Sequence, residues 1–218
     1  MNPAAALTTT LGFRPDSKFR EALPLGLPAL DALTGGFPRG AISEILGPES
    51  SGRTTLVHSL LAAATAKLEI CAYIDTDDSF DPVSAAAAGV ALSQLVWIRC
   101  GHNAGHALKT ADYLLHAGGF GVIVLDLCQV PLRVWNRIPI SYWYRFRLAI
   151  ENTPTILALV EKQPQAKSCA SLMLELERKN TRWTGAPGFT LLREVELEAA
   201  SRKPVRSHAA NFIARAIA

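Results

Sequence analysis

Short apolar runs alternate with amphipathic stretches of roughly 10 to 15 residues through the middle of the chain. The apolar runs, bounded by turn-forming residues, predict five strands at residues 41–46, 69–74, 95–99, 121–126 and 155–160. The amphipathic stretches predict helices at residues 54–67, 82–89, 104–118 and 140–152. Because strands that alternate with helices form parallel sheets covered on both faces, we expect an α/β fold with a mostly parallel central sheet flanked by helices.

The pattern changes after the fifth predicted strand. Residues 170–177 and 190–199 alternate apolar and polar side chains, as antiparallel strands with one solvated face do. The sequence therefore predicts antiparallel strands at the C-terminal end of the sheet. It also predicts a division into an N-terminal arm (1–24), a core (25–204) and a C-terminal tail (205–218) that is either a short amphipathic helix or frayed.

Composition narrows the class of protein only a little. Hydrophobic residues make up 49% and charged residues 19% of the chain, as in ordinary globular proteins. The net charge of +3 neither demands nor excludes an anionic partner. The four cysteines show no C-x-x-C spacing, which favours reduced core thiols over disulfides or a metal site. No apolar run reaches the ~18 residues that span a bilayer, so we expect a cytoplasmic protein without membrane contact.

A candidate phosphate-binding loop lies between the first predicted strand and the helix that follows it. This context suits the P-loop pattern G-x-x-x-x-G-K-[ST], whose glycines let backbone N–H groups surround phosphate oxygens at a helix N-terminus. The motif predicts ATP and Mg²⁺ as ligands, with the Thr54 hydroxyl on the metal ion. The predicted nucleotide-binding residues are Gly47, Pro48, Glu49, Ser50, Ser51, Gly52, Arg53, Thr54 and Thr55.

Arg53 occupies the position of the motif's lysine. Its planar guanidinium keeps the charge but cannot occupy the point that a compact ammonium takes between two phosphates. We therefore expect weakened nucleotide binding and slow or absent hydrolysis. The alternative is that the loop is a vestigial turn that binds nothing.

Two acidic residues follow predicted strands and are candidates for the same site. Asp126 ends an apolar run typical of a Walker B strand, which positions an acid near Mg²⁺. Asp77 follows the second strand, where it could orient an attacking water. Ligands bind at the carboxyl ends of parallel strands, so both acids are expected near the phosphate loop. Either one alone is more typically a helix N-cap or a solvated turn residue.

Several of these segments resemble bacterial RecA recombinases. Residues 46–56 resemble the phosphate loop of that family, residues 74–82 the segment with its catalytic glutamate, and residues 122–126 its Walker B strand. The resemblance implies a RecA-like P-loop fold that binds ATP and Mg²⁺. It implies Asp77 in place of the catalytic glutamate and Asp81 as an adenine contact.

The chain also departs from RecA, although the resemblance extends over residues 25–204. Glu161 and Lys162 replace the family's Asn-Gln sensor of the γ-phosphate, and Ser84 replaces the aromatic residue that stacks on adenine. The link before Lys167 is too short for the family's long second DNA loop, and the first DNA loop is also compact. With these departures the chain resembles the RecA-like accessory family ImuA (also called SulA-like). This resemblance implies a role in damage-induced translesion mutagenesis.

Residues 133–147 combine aromatic side chains with arginines and form the candidate contact surface. This composition suits single-stranded DNA and protein partners alike, whereas helical spacing also permits a core face of Trp143, Phe146 and Ile150. The candidate DNA or partner contacts are Trp135, Arg137, Arg145 and Arg147.

Three functions compete. The first is an accessory factor in translesion mutagenesis that contacts polymerase subunits or RecA and binds single-stranded DNA weakly. The second is a DNA-dependent ATPase of the recombinase type, and the third is a switch that binds ATP without turnover. Arg53, Asp77, Lys162 and the short link before Lys167 all argue against the second. Long filaments are not expected.

Overall fold

The computed structural model describes residues 21–186 and 188–215. The strands are β1 (Ala22–Leu23), β2 (Phe37–Pro38), β3 (Ala41–Leu46), β4 (Cys71–Asp75), β5 (Leu95–Arg99), β6 (Val122–Asp126), β7 (Ile156–Glu161), β8 (Ala170–Ala186), β9 (Phe189–Lys203) and β10 (Val205–Arg215). The α-helices are α1 (Pro28–Thr34), α2 (Arg53–Thr65), α3 (Pro82–Ala87), α4 (Ala104–Ala117), α5 (Leu132–Trp135) and α6 (Ile140–Ile150). Among the described residues, no helix is both long and apolar enough to cross a membrane.

One eight-stranded sheet forms the centre of the molecule, in the order β10-β9-β8-β3-β7-β6-β4-β5. The strands from β8 to β5 pair in parallel. In contrast, β9 is antiparallel to β8, and β10 is antiparallel to β9. The predicted α/β fold, with a mostly parallel sheet and an antiparallel C-terminal end, is confirmed.

Helices cover both faces of the sheet and bury two apolar clusters. On one face α2 packs through Leu56 and Leu60, which are fully buried. On the other face α6 packs through Trp143, Phe146 and Ile150, the three residues whose helical spacing indicated a core face. Because β3, β4, β6 and β7 lie between these layers, every one of their residues is buried.

The strand register brings several chain segments to one edge of the sheet. Asp75 at the end of β4 lies opposite Asp126 at the end of β6, and Leu46 at the end of β3 lies opposite Glu161 at the end of β7. The carboxyl ends of parallel strands therefore meet beside the loop that follows β3, which is the usual ligand-binding edge of such sheets.

Both ends of the predicted core need correction. Leu23, assigned to the N-terminal arm, belongs to β1 and is fully buried, while residues 1–20 of that arm lie outside the described residues. The predicted tail instead contains strand β10, which pairs with β9, and its Phe212 packs into the core. Pairing along β9 gives β10 the backbone hydrogen bonds that a frayed tail lacks and the buried side that an isolated helix lacks.

The role of β10 in the core can be tested with two neighbouring side chains. We expect Phe212→Ala to lower the free energy of unfolding by about 3 kcal/mol, because it removes a large buried side chain. The matched control, Ile213→Ala, removes a side chain that is 50% exposed and should cost less than about 1 kcal/mol. Urea denaturation measures both, and equal small losses would contradict the assignment of β10 to the core.

Candidate functional site

The loop between β3 and α2 forms the centre of the candidate site, and two glycines fix its backbone. A Cβ at Gly47 would lie 2.6 Å from the carbonyl oxygen of Leu176, which is closer than real side chains approach. Gly52 has a left-handed φ of 92° and is the N-cap of α2. The loop therefore leads directly into the positive end of a 13-residue helix, a geometry that favours anions.

An unpartnered hydroxyl and a cavity lie at this loop. Among the described residues, the buried Ser51 Oγ has no hydrogen-bond partner. A cavity of about 230 Å³ lies against the loop, and its walls are Ser50, Ser51, Gly52, Arg53, Thr54, Thr55, Val195, Leu197 and Ala214. An unused donor beside a glycine-shaped loop fits a phosphate group.

A second cavity of about 610 Å³ lies next to the first, and Thr55 lines both. Its walls come from α2, α3, β10 and the residues flanking α1 and α3, and they are Leu27, Thr55, His58, Ser59, Val83, Ser84, Ala87, Ala88, Phe212, Ile213, Ala214 and Arg215. Two adjoining cavities, one against a polar loop and one mostly apolar, fit a phosphate chain attached to a flat apolar group.

Sequence reasoning did not single out His58 or Phe212 for this second cavity. His58 lies three positions after Thr55 in α2, a helical spacing that puts both side chains on one face and could have indicated it. Burial lowers the pKa of His58, while the nearby Asp81 carboxylate opposes that shift. The sequence could not indicate Phe212 as a cavity residue, because the segment that forms β10 was predicted to be a tail.

The side chain of Arg53 is directed to the end of β7. Its Nη1 donates a hydrogen bond of 3.2 Å to the backbone carbonyl of Glu161, and the residue is only 8% exposed. The guanidinium is thus engaged with a structural acceptor at the edge of the sheet.

Asp126 lies at the predicted position, at the end of β6, and both of its carboxylate oxygens accept hydrogen bonds. Tyr73 Oη donates to Oδ2 at 2.6 Å, and the backbone N–H of Cys128 donates to Oδ1 at 3.0 Å. Burial raises the pKa of Asp126, and the Tyr73 hydrogen bond opposes that rise. The carboxylate is held in a fixed orientation by these two donors.

Asp77 lies at the same edge of the sheet as Asp126. Its carboxylate faces the loops that follow β5 and β6. Its Oδ2 accepts the backbone N–H of Gln129 at 3.2 Å, and its Oδ1 lies 3.4 Å from Nδ1 of His102. The turn that carries it is organised by Asp75, whose carboxylate accepts three backbone N–H groups and the Trp97 indole N–H. Asp75 is a structural acid that sequence reasoning did not single out.

Asp81 caps the N-terminus of α3. Its carboxylate accepts the backbone N–H groups of Val83 and Ser84 at 3.1 Å each, and also the Ser84 hydroxyl. Hydrogen bonds to the charged form, chiefly from Ser84, lower the pKa of this exposed carboxyl. Val83 and Ser84 line the larger cavity, so Asp81 shapes the wall of that cavity through the cap that it forms.

Lys162 connects the phosphate loop to the loop after β6. Its Nζ lies 3.2 Å from Glu49 Oε1 and 3.4 Å from Gln129 Oε1. Both partners in the ion pair face solvent, with Lys162 45% and Glu49 71% exposed. Through Gln129 these contacts reach Asp77.

Two carboxyl groups are buried behind the phosphate loop, and Glu44 and Glu161 are both fully buried. Backbone N–H groups of Gln165 and Ala166 donate to Glu44 Oε1 at 2.7 and 2.6 Å. Among the described residues, Glu44 Oε2 and both oxygens of Glu161 have no hydrogen-bond partner. Burial, reinforced by the neighbouring Glu44 carboxyl, raises the pKa of Glu161 well above its usual range.

The predicted contact surface lies on and around α5 and α6, and its residue Trp135 lines a cavity together with Gln129 and Lys162 of this site. Trp135 is 3% exposed and packs in the core, so its prediction as a DNA or partner contact is wrong. Arg137 is exposed, and Arg147 is partly exposed. Arg145 is half-exposed, with Nε 2.9 Å from Asp112 Oδ1 and its guanidinium 4.8 Å from the centre of the Tyr142 ring.

Thr54 and Asp126 are the residues of the site that would hold a metal ion together with a nucleotide. Within the described ranges, no group of three or more His, Cys, Asp or Glu side chains could hold a metal ion by itself. Thr54 is exposed at the start of α2, and Asp126 lies at the end of β6. Together with phosphate oxygens they would supply the oxygen ligands that Mg²⁺ prefers.

Comparison of the sequence with those of known proteins identifies relatives of this chain. The sequence model of the RecA N-terminal domain family matches residues 10–132. The chain is 41% identical over 118 residues to Protein RecA of Borrelia duttonii, a match that covers 53% of this chain and 32% of that protein. It is 42% identical over 108 residues to Protein RecA of Chloroflexus aurantiacus, covering 49% and 30% respectively. The chain therefore matches about a third of the length of these relatives.

The buried carboxyl pair predicts a pH-dependent stability. Because the folded pKa of Glu161 is raised, the folded state keeps a proton that the unfolded chain loses above its own pKa. Stability is therefore lost as pH rises, by about 1.4 kcal/mol for each pH unit between the two pKa values. Glu161→Gln lacks this loss, and its amide can donate to Glu44, so its advantage over wild type should grow from pH 5 to pH 8.

Denaturant unfolding at several pH values measures that advantage. Glu196→Gln, on the exposed part of β9, is the matched control and should stay within about 0.5 kcal/mol of wild type at each pH. A Glu161→Gln advantage that is the same at pH 5 and pH 8 would show that Glu161 is ionised in the folded protein.

Proposed function

The chain belongs to the RecA N-terminal domain family, and we propose that it is a nucleotide-binding RecA paralogue that acts as an accessory factor in the DNA damage response and translesion mutagenesis, through contacts with other proteins. The observation that carries nucleotide binding is the glycine-shaped loop with its unpartnered Ser51 hydroxyl, next to two cavities that share Thr55. ATP with Mg²⁺ is the proposed ligand, and a cytoplasmic location is part of the same proposal.

In this proposal each part of the site has one task. The loop amides and the start of α2 would bind phosphates, and Thr54 and Asp126 would hold the metal ion. The larger cavity takes the base and sugar between Val83 of α3 and Phe212 of β10. When bound, ATP supplies a terminal phosphate whose presence distinguishes two states of the protein, which is the basis of a nucleotide-dependent switch.

The accessory role is supported by the short connection from β7 to β8. These strands lie on either side of β3, and Ile42 of β3 pairs with Ala170 at the start of β8. Residues 162–169 therefore have to cross one strand, about 10 Å, and return about 13 Å along the sheet. Since they also form the 3₁₀ turn Lys167–Cys169, little chain is left for a loop that projects into DNA.

The alternative is a DNA-dependent ATPase of the recombinase type. It is favoured by the match to Protein RecA and by the presence of Asp77 and Asp126 at the ends of their strands. Against it, both Asp77 oxygens already have neighbours in Gln129 and His102, and Arg53 is engaged with the carbonyl of Glu161. We therefore favour binding with slow or absent hydrolysis.

Calorimetry with Mg²⁺ and ATP tests this function in the wild type and in Arg53→Lys. We expect both to bind and Arg53→Lys to bind roughly tenfold more tightly, because a compact ammonium fits between phosphates where the guanidinium fork does not. Neither protein should show ATP turnover that single-stranded DNA stimulates. Arg182→Lys, the same change at a 72% exposed side chain on β8, is the control and should bind as wild type does.

The other results discriminate among the candidates. ATP turnover that single-stranded DNA stimulates in the wild type would support the alternative function, a DNA-dependent ATPase of the recombinase type. Failure of both proteins to bind ATP would show that the loop is vestigial, and it would remove nucleotide binding from the proposal.

A further inference from the structure

Helix α6 presents two apolar faces, although a surface helix normally needs only one. One face packs in the core through Trp143 and Phe146. The other side carries an outer stripe of Ile140, Tyr144 and Leu148, which are 45%, 45% and 71% exposed. Their four-residue spacing places them in one row, about 12 Å long at the rise of an α-helix. A second apolar row left in contact with water is typical of an interaction surface.

The segment that carries the outer stripe is strongly positive. Residues 127–150 contain four arginines and no aspartate or glutamate. Arg133 and Arg137 are exposed just before α6, and Arg145 is half-exposed on the helix itself. Asp112 of α4 lies against this surface, but its Oδ1 is already paired with Arg145 Nε at 2.9 Å. Positive charge beside an apolar row favours a partner that places carboxylates beside its own apolar side chains.

We propose that the outer stripe of α6 docks an acidic amphipathic helix of a partner protein. The apolar side chains of that helix cover Ile140, Tyr144 and Leu148, and its carboxylates pair with the flanking arginines. This inference rests on the accessory role proposed above, to which it adds the location of the contact and the chemistry of the partner.

The aromatic side chains of this segment leave little for stacking on nucleic-acid bases. Trp135 and Trp143 are only 3% and 1% exposed, so their rings lie in the core. The guanidinium of Arg145 covers the Tyr142 ring, 4.8 Å from its centre. Tyr144 offers one exposed ring, whereas single-stranded nucleic acid is held by successive bases on several rings. A row of aromatic and aliphatic side chains at helical spacing suits the ridges of a second helix instead.

Contacts on both sides of α6 hold the outer stripe in a fixed position. Tyr144 Oη lies 3.3 Å from Ser168 Oγ in the 3₁₀ turn that precedes β8. On the other side, Arg145 links α6 to α4 through Asp112. A surface that is already ordered loses little conformational entropy on binding, which favours a specific contact.

A peptide library displayed on phage tests which partner chemistry the full-length protein selects. Random peptides of about 20 residues are long enough for five helical turns. We expect the enriched peptides to be acidic, to carry apolar residues every three or four positions, and to bind less tightly as salt is raised. Enrichment of basic peptides, of peptides without that spacing, or of none contradicts the proposal.

Four variants then locate the contact, with the fluorescence anisotropy of an enriched peptide as the measurement. Leu148→Asp should weaken binding at least about tenfold, because it places a charge in the apolar contact. Arg137→Glu should weaken binding about fivefold at low salt, and this difference should fade at high salt. The matched controls lie on β8 and β9: Leu191→Asp, at a leucine 69% exposed, and Arg182→Glu, at an arginine 72% exposed. Both controls should bind the peptide as wild type does.

The remaining outcomes separate this inference from the proposed function. Unchanged affinity in Leu148→Asp, or an equal loss in Leu191→Asp, overturns the assignment of the outer stripe. Oligodeoxythymidine is the competing probe: if it binds wild type and Arg137→Glu abolishes that binding, the surface is a nucleic-acid interface and the proposal is wrong. A wild type that binds ATP but no acidic peptide overturns this inference and leaves nucleotide binding in place. A wild type that binds the peptides but not ATP does the reverse.

Discussion

The parallel pairing of β3 with β7, and of β7 with β6, is the constraint on which the site depends. These strands are buried on both faces, so a slip of one residue would exchange the side chains that face α2 with those that face α6. The fixed register carries three segments distant in sequence to one edge: the phosphate loop after Leu46, the acid Asp126 and the pair Glu161 and Lys162. A rigid sheet can thereby hold a site that is built almost entirely from loops.

Arg53, Glu44 and Glu161 are buried at this edge of the sheet, so their polar groups need partners within the protein. Arg53 satisfies part of its guanidinium with the Glu161 carbonyl, while the Glu161 carboxyl lies beside Glu44 without a hydrogen bond among the described residues. Burying an unpaired carboxylate is costly, so the pair favours a bound proton over two negative charges. Arginine at position 53 thus has a structural role, because its long planar guanidinium reaches the Glu161 carbonyl, which a lysine would reach less well.

Local sequence patterns predicted the five parallel strands from β3 to β7 and the helices α2, α3, α4 and α6, because strand and helix periods are local properties. The strand Leu95–Arg99 was predicted to the residue, and the helix Ala104–Ala117 to within one. Contacts between distant residues could not be predicted in this way: Arg53 meets a carbonyl 108 residues along the chain. Burial of Trp135 and the pairing of β10 with β9 likewise depend on how elements pack, which periodicity does not report.

The ion pair between Lys162 and Glu49 contributes little to the stability of the fold. Both side chains are substantially exposed, so water and salt screen their attraction and the pair adds at most about 1 kcal/mol. The bond between Arg53 and Glu161 is buried, and breaking it would leave a charge without an acceptor. Of these two cations beside the loop, the buried one is therefore fixed by folding, and the exposed one adds little to the stability of the fold.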